Sequence, residues 1–156
     1  MRRSDREITD FSEIVRIMEQ CDVCRLAMHD DYPYILPLNF GMAVKGTQVT
    51  LYFHGANKGK KYDLLARDSR VGFEMDRGHR LALEEETGNC TMAFESVMGH
   101  GRLEIVEGEE KLEGLRLLMA HYRQEDFPYN KAVIPQTTIM KLTVEELTGK
   151  GRRVKA

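Results

Sequence analysis

The sequence predicts a mainly β chain, an antiparallel barrel decorated by short helices. Three observations carry that prediction. Apolar and polar residues alternate in several runs, most cleanly over residues 47–55, where Val49, Leu51 and Phe53 alternate with Thr50, Tyr52 and His54. The runs are joined mostly by short turn signals, which favour hairpins over crossovers. Helical spacing is confined to three short stretches between them.

Taken in order, Asp10 and Glu13 have capping-box spacing, and Phe11, Ile14, Val15 and Met18 follow at helical intervals, predicting a helix over 11–20. Residues 23–28, VCRLAM, lack that spacing and end at the turn signal Asp30-Asp31, predicting the first strand. The next run, 34–44, carries Pro37, which a central ladder would not tolerate unless its missing N–H faces a bulge, an edge or a ligand. Lys45-Gly46 then turns the chain into the strand at 47–55. Beyond Gly55 the segment NKGKKYDLLAR has helical spacing through Tyr62 and Leu65, with Asn57 as N-cap and a start near Lys58. Val71, Phe73 and Met75 alternate again, and residues 90–106 form a long strand in which Gly99 and Gly101 signal a bend or bulge. The stretch between them, residues 76–89, fits no element clearly. Residues 109–123 put Leu112, Leu115, Leu118 and Met119 on one helical face. A last strand is expected over 137–144, followed by a frayed tail, GKGRRVKA. This gives six or so strands and no internal repeat.

The 156 residues are enough for one domain, 1–156, and 42% hydrophobic with 31% charged residues is a globular rather than a disordered composition. With 23 basic against 25 acidic side chains there is no bulk positive field for nucleic acid or an anionic membrane, so any anion must be bound locally. No apolar run approaches the ~20 residues of a membrane-spanning helix, and no apolar stretch follows the basic start, so a cytoplasmic address is expected. Cys21, Cys24 and Cys90 are too few for a disulfide framework and are read as reduced thiols. Cys21-x-x-Cys24 lacks a second pair, and the five histidines lack ligand spacing, which argues against a metal site.

The segment HGANKGKKYDLL carries the chemistry. Lys58, Lys60 and Lys61 fall in the first turn of a helix, where the dipole already presents positive charge and cations are unfavourable. A bound phosphate would relieve that conflict; the alternative is a solvated basic turn. His54, at a strand end directly before Gly55, reads either as a cofactor contact or as a histidine at the barrel rim. No nearby carboxylate orients it, and Glu95 is a distant one that the fold could bring to it. No nucleophile elbow, Walker loop or dinucleotide fingerprint is present, and no catalytic residue is assigned.

The segments VCRLAM, YPYILPLNFG, LYFHGANKGKKYDLL, RVGFEMD, CTMAFESVMGHGRLE and IMKLTVEELTGK together resemble the nitroimidazole-resistance branch of the pyridoxamine 5′-phosphate oxidase-like flavoproteins. The resemblance spans nearly the whole chain. It implies an antiparallel split β-barrel of FMN-binding type, a homodimer with FMN, in some members FAD, in clefts at the subunit interface, and a small-molecule substrate. It places Pro37, Leu38, Asn39 and Phe40 along the flavin ring and ribityl chain. It sets Phe53 and His54 at the strand end near the cofactor, and Lys58 and Lys60 at the phosphate; Gly55 and Lys61, from the reading of the turn itself, complete the expected cofactor-binding residues. Ser96 and Val97 match a strand that reaches the flavin from the other subunit. The chain departs from the vitamin B6 oxidases: their arginine-rich second strand reads LPLNFG, their Ser-Arg-Lys turn reads KGK, and their tryptophan-bearing C-terminal substrate motif is missing from a chain with no Trp. The function implied is an FMN-dependent oxidoreductase passing electrons from a reduced donor to a small acceptor, nitroaromatics included. The alternative is a flavin- or haem-binding protein of the same fold that is not an enzyme.

Overall fold

A computed structural model describes residues 3–128 and 130–153. A two-residue strand, β1 (Glu7–Ile8), leads into α1 (Phe11–Glu19). Asp10 caps this helix as its spacing predicts, Oδ1 accepting from the Glu13 N–H at 2.9 Å, and Ile14, Ile17 and Met18 are buried against the barrel. β2 (Cys24–Met28), β3 (Tyr34–Leu38), β4 (Phe40–Lys45) and β5 (Gln48–Ala56) follow. Next come α2 (Lys60–Arg67), β6 (Arg70–Glu84), β7 (Asn89–Val106), α3 (Gly108–His121) and, after a 3-10 turn, β8 (Thr137–Arg152).

The strands pair antiparallel in the order β3-β2-β6-β7-β8-β5-β4, with β1 added to β8. β3 and β4 are therefore the two ends of the path, yet only Asn39 separates them in sequence. The sheet curls until its free edges meet at that residue without closing a ladder, which makes a split barrel. Alternate residues point inward: Leu26, Leu51, Phe53, Met75, Val97 and Leu142 have no exposed area and form the floor of one core.

Several sequence expectations are corrected. Residues 34–44 are two strands rather than one, because the chain changes sheet edge at Asn39; Pro37 sits opposite Arg25 on edge strand β3, the kind of strand in which proline is tolerated. The last strand does not stop at 144. β8 continues to Arg152, held by β7 through Phe94↔Arg152 and by β1 through Glu7↔Lys150, so GKGR is paired rather than frayed; residues 154–156 lie outside the described residues. The unassigned stretch extends β6 and β7 past an irregularity at Arg77/Arg80 into a long ribbon. The predicted bulge is present as a register shift between His100 and Gly101.

α3 packs differently from its leucine spacing. Leu112 is 49% exposed, whereas Gly114 and Leu118 are buried. The helix crosses β4 so closely that a Cβ on Gly41 would lie 2.4 Å from the Leu118 nitrogen. Backbone approach at a glycine sets the contact face here, and a count of leucines cannot see it.

Candidate functional site

β5 presents Phe53 inward, with no exposed area, and His54 outward, exposed and without a side-chain hydrogen bond among the described residues. The turn that follows is pinned on both sides. The Tyr62 hydroxyl donates to the Ala56 carbonyl at 2.6 Å, and Asn57 donates to Pro135 O at 3.2 Å while accepting from the Thr138 hydroxyl at 2.9 Å. Asn57 is therefore not the helix cap. α2 starts two residues later than expected, at Lys60, after Gly59 at φ 137°, a conformation that favours glycine. At Gly55 the fit is tight, since a Cβ would lie 3.0 Å from Lys61 Cε and 3.1 Å from the Tyr62 hydroxyl, and these side-chain ends would have to shift.

The lysines separate into two kinds. Lys60 Nζ lies 2.5 Å from Asp30 Oδ2, and Arg67 reaches the same carboxylate at 3.4 Å. The hydrogen bond from Lys60 holds the Asp30 carboxyl below its ordinary range. Among the described residues Lys58 makes no hydrogen bond or ion pair, and Lys61 has only the Tyr62 ring, 4.4 Å beneath its Nζ. Two ammonium groups without carboxylate partners thus flank a helix N-terminus whose first N–H groups lack intrahelical acceptors. Asp63 supplies the acidic residue of that first turn. Asp30 also lines a cleft of about 650 Å³, with Met28, Arg70, Gly72 and His100 among its walls.

The seam beside this turn is latched from α3. The Tyr122 hydroxyl donates to Asp22 O at 2.6 Å and accepts from Asn39 Nδ2 at 3.1 Å and the Phe40 N–H at 3.3 Å, using all of its hydrogen-bonding capacity. The His121 ring packs 4.1 Å from Phe40, and its Nε2 donates to Cys21 O at 2.8 Å. Asn39 therefore spends its amide on the seam. Tyr122→Phe takes the acceptor from the Phe40 N–H and leaves Asp22 O and the Asn39 amide only each other, and is expected to cost about 1–2 kcal/mol. A lower urea midpoint at unchanged slope checks this.

Neither Asp30 nor Tyr122 is singled out by the sequence. Asp30 reads as a turn residue, and Tyr122 lies 82 positions from the Phe40 N–H it accepts.

Phe40 pairs with Phe53, so residues 37–40 meet the β5 strand end at Phe40, while Pro37 and Leu38 pair with Arg25 and Cys24 of β2. Leu38 packs against the core, Phe40, Phe53 and Val97 are fully buried, and Pro37 faces outward. The buried three can offer a ligand only their backbone. Ser96 and Val97 are not beside them in one chain. His54 pairs with Ile139, near the start of β8, whereas Ser96 and Val97 pair with Lys150 and Gly149 near its end. Ser96 donates its hydroxyl to Lys150 O at 3.4 Å and shares an outward sheet face with Ala27, Pro37, Gly72 and Met98. On that face Arg25 bonds two carboxylates, Asp76 at 2.7 Å and Glu74 at 3.1 Å.

Glu95 does not approach His54. Its inward carboxylate is taken by Arg77 at 2.6 Å, Arg16 at 2.9 Å and Arg153 at 2.9 Å. Cys21 and Cys24 are buried thiols, and burial pushes Cys21 up to about 12. Among the described residues no helix is long and apolar enough to cross a membrane.

Residues 10–151 match the family model described as pyridoxamine 5′-phosphate oxidase. A candidate 5-nitroimidazole antibiotic resistance protein from Bacteroides thetaiotaomicron is 32% identical, with 93% of this chain covering 86% of that one at a TM-score of 0.81. An FAD-binding protein from Mesorhizobium loti is 20% identical over 95% of this chain and 98% of its own, TM-score 0.68. The FAD and haem binding protein from Mycobacterium smegmatis is 13% identical over 96% and 74%, TM-score 0.81. The last two are similar in fold alone. No curated protein matches the sequence.

Proposed function

Since the chain belongs to the pyridoxamine 5′-phosphate oxidase family, we propose that it is a cytoplasmic FMN-dependent oxidoreductase. In this reading it passes electrons from a reduced donor to a small acceptor, nitroaromatics among them. One observation carries the reading: the strand end His54-Gly55 runs into a glycine-opened helix N-terminus flanked by two ammonium groups, Lys58 and Lys61, that have no carboxylate partner among the described residues. That arrangement fits a phosphomonoester next to a planar ring. The 32% identical relative, which is a candidate for 5-nitroimidazole resistance, supports nitro compounds as acceptors.

The flavin, when bound, supplies the redox chemistry. The chain's residues bind and orient it. Lys58, Lys61 and the first N–H groups of α2 hold the phosphate, with Lys60 kept in place by Asp30. The backbone of residues 37–40, fixed by Tyr122, lies along the ring and ribityl chain. His54, exposed at the strand end, would contact the cofactor or the acceptor space beside it, its imidazole donating or accepting there. A homodimer completes the cleft, with Ser96 and Val97 of one protomer brought to the β5 end of its partner. The separation of these residues within one chain supports that assembly.

Visible absorbance of the purified protein tests the reading. Flavin bands are expected, with a released mass equal to FMN, and NADH or NADPH should bleach them until an acceptor restores the colour. A protein that neither retains nor takes up FMN at micromolar concentration overturns it. A Soret band would favour the haem-binding alternative, and flavin that never bleaches would favour a carrier.

A further inference from the structure

The turn between β5 and α2 has little backbone to hold it. Outside helix and sheet, its one backbone bond among the described residues runs from the Tyr62 N–H to Gly59 O at 3.0 Å. Gly59, at φ 137°, has no Cβ to restrict the peptides beside it. Lys58 stands between that glycine and Asn57, so its ammonium is aimed only as firmly as Asn57 is held. Asn57 is held from far away in the chain. Its Nδ2 donates to Pro135 O at 3.2 Å in the 3-10 turn Lys131–Gln136, and its Oδ1 accepts from the Thr138 hydroxyl at 2.9 Å on β8. Both anchors are themselves fixed. Thr138 is buried and pairs with Gly55, while Thr137 donates its hydroxyl to Val133 O at 2.9 Å and ties the 3-10 turn to β8.

We propose that Asn57 is a positioning residue of the phosphate turn: its amide clasps the turn to β8 and to the 3-10 turn, and so sets where Lys58 and the first N–H groups of α2 point. The inference rests on the phosphate reading and goes beyond it, because Asn57 acts through Lys58 and not by touching the ligand. Its amide is engaged at both ends by the scaffold. What it contributes is preorganisation, since a turn already held in the binding geometry loses less conformational freedom when phosphate arrives.

Two variants of the full chain test the clasp, Asn57→Ala and Thr138→Val. The second leaves the Asn57 side chain in place and removes only the hydroxyl that holds it. Titration of the apoproteins should show FMN affinity lowered about tenfold in Asn57→Ala and at least about threefold in Thr138→Val, with riboflavin affinity unchanged in both. Combined with Lys58→Ala, Asn57→Ala should cost less than the product of the two single losses, because one residue acts through the other. Hydrogen exchange of the apoproteins should quicken at residues 58–61 and in the 3-10 turn, and stay unchanged in the barrel strands. A loss in Asn57→Ala with none in Thr138→Val makes Asn57 a direct phosphate ligand and overturns the clasp. Equal losses for FMN and riboflavin, or unchanged exchange at the turn, overturn it as well. The wild type separates this failure from that of the phosphate reading: wild-type protein that binds FMN no more tightly than riboflavin overturns the phosphate reading and the clasp with it. Wild-type preference for FMN, retained in full by both variants, removes the clasp alone.

Discussion

Replacing Lys58 and Lys61 together with alanine is expected to weaken FMN binding by about 10²- to 10⁴-fold while leaving the barrel folded. Each ammonium makes one charge-assisted contact to phosphate in the proposed complex, and two such contacts multiply to that range. Neither lysine has a carboxylate partner to lose among the described residues, so the apoprotein should keep its thermal midpoint. Lys60→Ala is the instructive contrast. It removes a cation already bonded to Asp30 at 2.5 Å, so its effect on FMN should be smaller and should come with a loosened Asp30. Fluorescence titration of apoprotein with FMN and with riboflavin separates the two. The double variant should lose affinity for FMN and not for riboflavin, which has no phosphate. Equal FMN affinity in wild type and double variant would remove phosphate from this turn.

Where the sequence could be read, local rules were sufficient. The Asp10 cap, the alternation of Val71, Phe73 and Met75, and the glycine-marked bulge near residue 100 depend on neighbours a few positions away, and all three are present. The basic turn was visible for the same reason. What stayed hidden depends on distant partners. Asp30 diverts Lys60 from 30 positions upstream, Tyr122 fastens the seam from 82 positions beyond Phe40, and the tail is ordered by pairing with both β1 and β7. Asn57 illustrates the limit. It has the right side chain and nearly the right place for a cap, but Thr138 and Pro135 claim its amide, and Gly59 opens the helix instead.

The buried carboxylate of Glu95 should govern stability in acid. It sits inside the end of the barrel at 9% exposure and gathers Arg77 from β6, Arg16 from α1 and Arg153 from beyond β8. Removing its charge leaves Arg77 without a carboxylate among the described residues, while Arg16 and Arg153 share only Glu13. Breaking a buried ion pair from one side costs about 3–5 kcal/mol, and the lower end applies because these arginines are 33–63% exposed and regain water. Glu95→Gln should therefore lose about 3 kcal/mol at neutral pH, or roughly 6–12 °C in Tm for a chain of this size. Burial alone would push the Glu95 carboxyl up, but the hydrogen bonds from Arg153, Arg16 and Arg77 outweigh it and hold the group below its ordinary value of 4.5. A depressed native pKa means that this stabilisation is complete above about 4.5 and fades as pH falls through the native value. The Tm gap between wild type and Glu95→Gln should accordingly stay constant from pH 8 down to about 5 and close at lower pH, because protonated Glu95 resembles glutamine. A gap that persists unchanged below about pH 3 would mean that the glutamine is misfitted in the barrel end, and that the three-arginine network does not account for the loss.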